Sequence, residues 1–163
     1  MDRRNVMMGL ALAGSGALSA AANAQSNATD PVIAAFAKTL SAHDMDAFAA
    51  LFADDYVNHQ TSAAAPSPPP GVTAKQGTVA FFAGRIKGLP DLSVAIEASL
   101  ANGDMAAASF VYTGTHRGPY FGVAPTGKSL RFTSCDIFRI RNGKIAEHWG
   151  MGDIAGIMAQ LKG

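Results

Sequence analysis

Two Asn-Gly turns, Asn102-Gly103 and Asn142-Gly143, each join a pair of runs in which apolar and polar residues alternate. Asn-Gly between alternating runs is a strong hairpin signal, because both central positions of the tight turn need positive φ. The pattern predicts strands over 92–100, 105–116, 130–141 and 144–149, paired as two linked hairpins. Side chains alternate between faces along a strand. On that parity Ala106, Ala108, Phe110, Tyr112 and His116 share one surface. Phe132, Ser134, Asp136 and Phe138 share the next, and Ile145, Glu147 and Trp149 the third. Each set is mostly apolar and is expected inside, yet each holds an ionisable group. An imidazole and two carboxylates among aromatic rings predict a pocket rather than a plain core.

Helical patterns flank the hairpins. Asp30-Pro31 supplies a capping carboxylate and a proline at the first turn, where its missing N–H costs nothing. Val32, Ile33, Phe36 and Leu40 follow at helical spacing. Asp44 caps a second helix through Phe48, Leu51 and Phe52, and residues 54–59 then leave it extended. His43, between these helices, is read as solvated. A third helix spans 76–87 with Val79, Phe82 and Ile86 on one face, and Asp153 caps a short last one through Ile154, Ile157, Met158 and Leu161. Helices gathered on one face of an antiparallel sheet make an α+β fold. The expected architecture is a curved, cone-shaped antiparallel sheet packed by three N-terminal helices and a short C-terminal helix. The segment 62–71, ending in Pro68-Pro69-Pro70-Gly71, is too proline-rich for regular structure and reads equally as a lid or a surface insertion. Tyr120 and Phe121, in the Gly/Pro-punctuated loop 117–128, are expected to be exposed enough to close over a ligand.

Residues 1–24 have the organisation of a leader. Arg3-Arg4 precedes a mildly apolar run that ends in Ala22-Asn23-Ala24, an Ala-x-Ala cleavage site. Twin-arginine export and cleavage after Ala24 are expected, leaving a periplasmic or secreted domain over 25–163. Cleavage lowers the acidic residues from 12 to 11 and the basic ones from 13 to 11, since Asp2, Arg3 and Arg4 depart, and the formal charge becomes zero. A neutral chain without a basic patch is not expected to bind nucleic acid, nor a membrane after cleavage. Cys135 is the single cysteine, so no intrachain disulfide is possible; parity turns it away from Asp136, as a small buried residue on the convex side.

The order of helices and hairpins resembles the nuclear transport factor two-like superfamily. Gly114-Thr115-His116-Arg117-Gly118, Pro125-Thr126-Gly127-Lys128, Asp136-Ile137-Phe138-Arg139 and Gly143-Lys144-Ile145-Ala146-Glu147-His148-Trp149 resemble the SnoaL-like polyketide cyclase (ester cyclase) family, over roughly 31–161. The resemblance implies an intramolecular aldol closure without metal or cofactor. It also implies an acidic residue as general acid/base, mapped to Asp136, and a histidine assisting it, mapped to His116.

The residues themselves suit a carbon acid. A base is needed within reach of the proton, with a donor for the enolate oxygen and walls that exclude water. Asp136 is expected as the base, His116 as the donor, and Glu147 as a partner sharing or orienting a proton. Trp149, Tyr112, Phe110, Phe132 and Phe138 are expected to wall the substrate, with His59 reaching in from the helical side. Parity turns His148 outward. No metal or cofactor is expected, since the histidines lack ligand spacing and no glycine-rich motif leads from a strand into a helix. Three readings remain: a cyclase or isomerase acting on a small hydrophobic carbonyl compound by proton abstraction; an epoxide or ester hydrolase, which the resemblance implies for a related branch of the superfamily and which wants an Arg and a second Asp in the pocket, where Arg139 has the wrong parity; and a non-catalytic periplasmic binding protein. A homodimer is expected, because the outer sheet face, with Ile137 and Val111, is partly apolar.

Overall fold

The computed structural model describes residues 29–60 and 66–163, so the expected leader and residues 62–65 lie outside the described part. The first two helices form where expected. α1, Pro31–Ser41, starts with Asp30 accepting from the Val32 N–H, and α2, Met45–Ala50, starts with Asp44 accepting from Ala47. Each cap satisfies a backbone donor that the first helical turn leaves unpaired. The extended stretch after α2 is a true strand, β1, Phe52–Asn58. α3, Ala74–Gly88, opens two residues before its expected start, on a reciprocal capping box between Thr73 and Gln76. The hairpins follow as β2 (Ser93–Asn102), β3 (Met105–Thr115), β4 (Ser129–Arg141) and β5 (Lys144–Gly152). α4, Ile154–Lys162, is capped by Asp153.

The five strands form one curved sheet in the order β1-β5-β4-β3-β2. The α+β cone is therefore as expected, with one addition. β1 lies parallel against β5 at the edge, so the sheet is not wholly antiparallel. Aromatic rings fill the space between helices and sheet. The Phe36 ring lies 5.1–5.5 Å from those of Phe48, Phe82, Phe110 and Phe138. Edge-on and tilted packing of this kind adds about 0.5–1.5 kcal/mol per pair beyond simple burial.

Parity holds on β3 and β4. Ala106, Ala108, Phe110 and Tyr112 are buried, as are Phe132, Ser134, Asp136 and Phe138. It fails on β5. Ile140 pairs with Ile145 and Arg139 with Glu147, so Ala146 is an extra residue, and Ile145 and Ala146 are both buried in succession. Such a β-bulge shifts every later side chain to the other face. His148 thus points inward and is buried, while Glu147, Trp149 and Met151 face out. The inward placement expected for Glu147 and Trp149, and the outward one for His148, are both reversed by this one residue.

Two smaller expectations are also corrected. Cys135 is on the convex face but exposed rather than buried. Tyr120 is 7% exposed, its side chain packed against Gly88 and Arg85 of α3 rather than free to close. That loop is seated on the end of α3, where the N–H groups of Arg117 and Gly118 both donate to the Gly88 carbonyl.

Candidate active site

Small residues on the sheet make room for the site. Asp136 is flanked across the strands by Ala108 on β3 and Gly150 on β5, and Ser134 by Gly152. With no bulk on either side, the Asp136 carboxylate sits at the wall of a cavity of about 460 Å³ between the sheet and α3. That is ample for a bicyclic molecule. Pro66, Ser67, Pro68 and Pro69 also line this cavity, so the described part of the Pro-rich segment forms part of the wall. Pro68 packs so tightly on α3 that a Cβ at Gly77 would collide with its ring.

Asp136 accepts two hydrogen bonds. Ser134 Oγ donates to Oδ2 at 2.5 Å, and His148 Nε2 lies 2.8 Å from Oδ1. The far side of the imidazole fixes its tautomer. Tyr56 Oη lies 3.3 Å from Nδ1, and Thr78 Oγ1 donates in turn to Tyr56 Oη at 3.4 Å. With the phenol donating to Nδ1, the ring proton sits on Nε2 and points at the carboxylate. Burial pushes the Tyr56 phenol up to about 12, against the pull of the Thr78 bond, so it keeps its proton. The outcome is a directional chain, Thr78 to Tyr56 to His148 to Asp136, running from α3 through β1 and β5 to β4. The Phe138 ring stacks on the His148 imidazole at 4.9 Å and 8°, which holds the ring plane.

One further group stands out. Arg85, on the buried face of α3 with Thr78 and Phe82, is 4% exposed and lines the cavity. Its Cζ lies 4.6–5.1 Å from the ring centroids of Tyr112, Phe82, Phe81 and Phe132. Burying a charge costs several kcal/mol even after relaxation. Cation–π contacts return about 0.5–2 kcal/mol each. Arg85 Nε donates to Tyr120 Oη at 3.1 Å.

The expected site residues divide into groups. Asp136 and Tyr112 line the cavity together. Phe110, Phe132 and Phe138 are buried behind that wall, Phe132 stacked on Tyr112 at 5.1 Å. His116 is elsewhere. It is fully buried just beyond β3, where the Thr126 N–H donates to its Nδ1 at 3.2 Å and Thr126 Oγ1 lies 2.9 Å away. The imidazole thus clamps the 117–128 loop, and it does not pair with Asp136. Glu147, His59 and Trp149 cluster on the outer face. His59 Nε2 is 2.8 Å from Glu147 Oε2, Arg139 Nε donates to Oε1 at 2.8 Å, and the His59 and Trp149 rings stack at 4.3 Å. The His59 bond first, and then Arg139, hold the Glu147 carboxyl below its usual range. His148 and Arg85 escaped the sequence reading. For His148 the alternation carried no signal of the extra residue, whereas Arg85 stood at helical spacing, three residues after Phe82 and seven after Thr78.

The model of the SnoaL-like polyketide cyclase family matches residues 31–161. The chain belongs to the SnoaL-like polyketide cyclase family. Solved structures of similar shape include IdmH from Streptomyces antibioticus, a proposed polyketide cyclase. It is 29% identical at a TM-score of 0.68, with 80% of this chain and 95% of that one covered. TsrD from Streptomyces laurentii (24% identity, TM-score 0.67, 80% and 92% covered) shares the fold. So does AclR from Streptomyces galilaeus, a proposed hydroxylase (22%, 0.67, 80% and 78%). No curated protein matches the sequence closely enough to count as a relative. In this SnoaL-like chain the acidic position carried by the Asp136-Ile137-Phe138-Arg139 motif is the one that lines the cavity.

Proposed function

We propose that this SnoaL-like protein is an enzyme that closes or isomerises a small hydrophobic carbonyl compound by proton abstraction, with Asp136 as the base. The single observation that carries this reading is the buried Asp136–His148 pair at 2.8 Å on the wall of an apolar cavity. His148 replaces His116 as the assisting histidine. Asp136 takes the proton next to the substrate carbonyl, and the carbon so freed attacks a second carbonyl of the same molecule. Asp136 then returns the proton to the oxygen of the new alcohol, so no atom is gained or lost. Asn58 and Gln60 line the cavity, and their side-chain amides supply N–H donors of the kind a developing enolate oxygen needs. His148, fixed by Tyr56, holds the carboxylate in orientation. The reaction needs no metal or other cofactor.

A hydrolytic reading draws some support from Arg85, which supplies the arginine it wants. Asp136, however, is the single carboxylate among the described lining residues. The binding-protein reading is separated by experiment. The probe is 1-tetralone in deuterated buffer, whose α-hydrogen exchange is followed by NMR. Wild-type protein is expected to accelerate exchange, and Asp136→Asn to lower the rate on the order of 10²–10⁴-fold. Undiminished exchange in Asp136→Asn removes the base assignment, and no acceleration by wild type favours the binding protein.

We further propose that the chain is exported and cleaved after Ala24, on the strength of Arg3-Arg4 and Ala22-Asn23-Ala24. We also propose that it pairs with a second copy through the outer sheet face. Leu100, Ile137 and Met151 are 61%, 46% and 76% exposed there, beside Trp149, and line one groove. An apolar groove of this kind, rimmed by the Glu147, His59 and Arg139 cluster, has the make-up of an interface with an apolar centre and a polar rim.

A further inference from the structure

Arg85 has no part in the proton transfer, and a guanidinium taken out of water needs a partner. Among the described residues no carboxylate lies within ion-pair distance of it; the pairs present belong to His59, Lys75, Arg139, Arg141 and His148. A guanidinium carries five N–H donors. One goes to Tyr120 Oη, and beside the others stands the phenol of Tyr112. The surrounding rings hold a cation in place but accept no hydrogen bond in the guanidinium plane. The cavity wall thus presents one positive group, from α3, and one carboxylate, from the sheet, among apolar and neutral polar side chains.

We propose that Arg85 anchors an acidic group of the substrate: the ligand is an apolar, ring-sized molecule bearing a carboxylate. The proposal rests on the acid/base reading of the same cavity and names its substrate class. A planar guanidinium matches a carboxylate through two parallel N–H···O bonds, which fixes direction as well as position. Tyr112 connects the two ends of the site. Its ring lies 4.6 Å from Arg85 Cζ, and its hydroxyl lies 3.5 Å from Ser134 Oγ, the group that donates to Asp136. A carboxylate seated on Arg85 therefore lays the apolar body along Tyr112 with its far end toward Asp136. The reverse orientation brings two carboxylates together and is repelled. Charge alone then decides which end of the molecule meets the base. Tyr120, by accepting from Nε, is a positioning residue for the anchor.

The test compares 1-naphthoate with its neutral isostere 1-naphthamide by calorimetry on the mature domain. Wild type is expected to bind the acid at least about tenfold more tightly than the amide, the range for charge-assisted hydrogen bonds. Arg85→Met is expected to erase the preference, and Arg85→Lys to keep part of it. Equal binding of acid and amide by wild type overturns the proposal, as does a preference that survives in folded Arg85→Met. Should Arg85→Met fail to fold, the wild-type Arg85 Nε–H resonance decides: it is expected to shift with naphthoate and not with naphthamide, and an equal response to both overturns the anchor. Failure here is distinct from failure of the base assignment, because 1-tetralone is neutral. Asp136-dependent exchange without acid preference removes the anchor alone, and acid preference without exchange removes the catalytic reading alone.

Discussion

Burial pushes the phenols of both Tyr56 and Tyr112 up to about 12, and at Tyr112 the positive charge of Arg85 pulls against burial while Asp136 adds to it. In the unfolded chain a tyrosine ionises near its ordinary value of about 10. The two residues therefore contribute stability that is fully present below pH 10 and is lost as pH rises through about 12. Absorbance titration of the phenolates should show both sites ionising two units late, with Tyr56→Phe and Tyr112→Phe each removing one late step. Ionisation of both near pH 10 in folded protein would contradict their burial. Single residues were unevenly legible in the sequence. Asp136 was readable because a carboxylate at an inward position of a regular strand has one place to go. Arg85 was not, since Phe82 belongs equally to a stripe with Val79 and Ile86 and to one with Thr78 and Arg85, and sequence alone favours the apolar choice.

Strands and turns were legible wherever regular alternation or Asn-Gly chemistry governed them, and they ceased to be so at the bulge. One inserted residue, Ala146, exchanges Glu147 and Trp149 for His148 at the cavity wall, and nothing in a period-two pattern signals an extra position. β1 was readable as extended chain but not as a sheet member, because its partner β5 lies at the other end of the chain. Gly150 belongs to this scale as well. A Cβ there would run into Asp136 Oδ1, Gln60 Oε1 and His148 Nε2. Gly150→Ala is expected to leave the fold intact at a cost of about 1–3 kcal/mol for overpacking. It should also reduce tetralone exchange as severely as loss of the base, because the carboxylate and imidazole are forced apart. Thermal unfolding together with the exchange assay reads both, and normal exchange in this variant would show that the pair tolerates separation.

At the scale of the whole molecule, helix order and hairpin order were readable from capping residues and period, and the partly apolar outer face led to the expectation of a second copy. The exported product is expected to begin at Gln25 by N-terminal sequencing and to sediment as a dimer at micromolar concentration, with Met151→Asp shifting it to monomer. A monomeric wild type would remove the pairing. The parallel edge of the sheet has a consequence in time. Tyr56 comes from β1 and His148 from β5, so the relay joins one of the first strands to be synthesised with the last. Pairings between such distant segments form slowly and close the largest loops. Until β5 has left the ribosome, a nascent chain can form α1 to α3 and pair β2, β3 and β4, but it has neither α4 nor the His148 that joins the relay. The proposed base is therefore oriented only once the last strand is in place, near the end of translation.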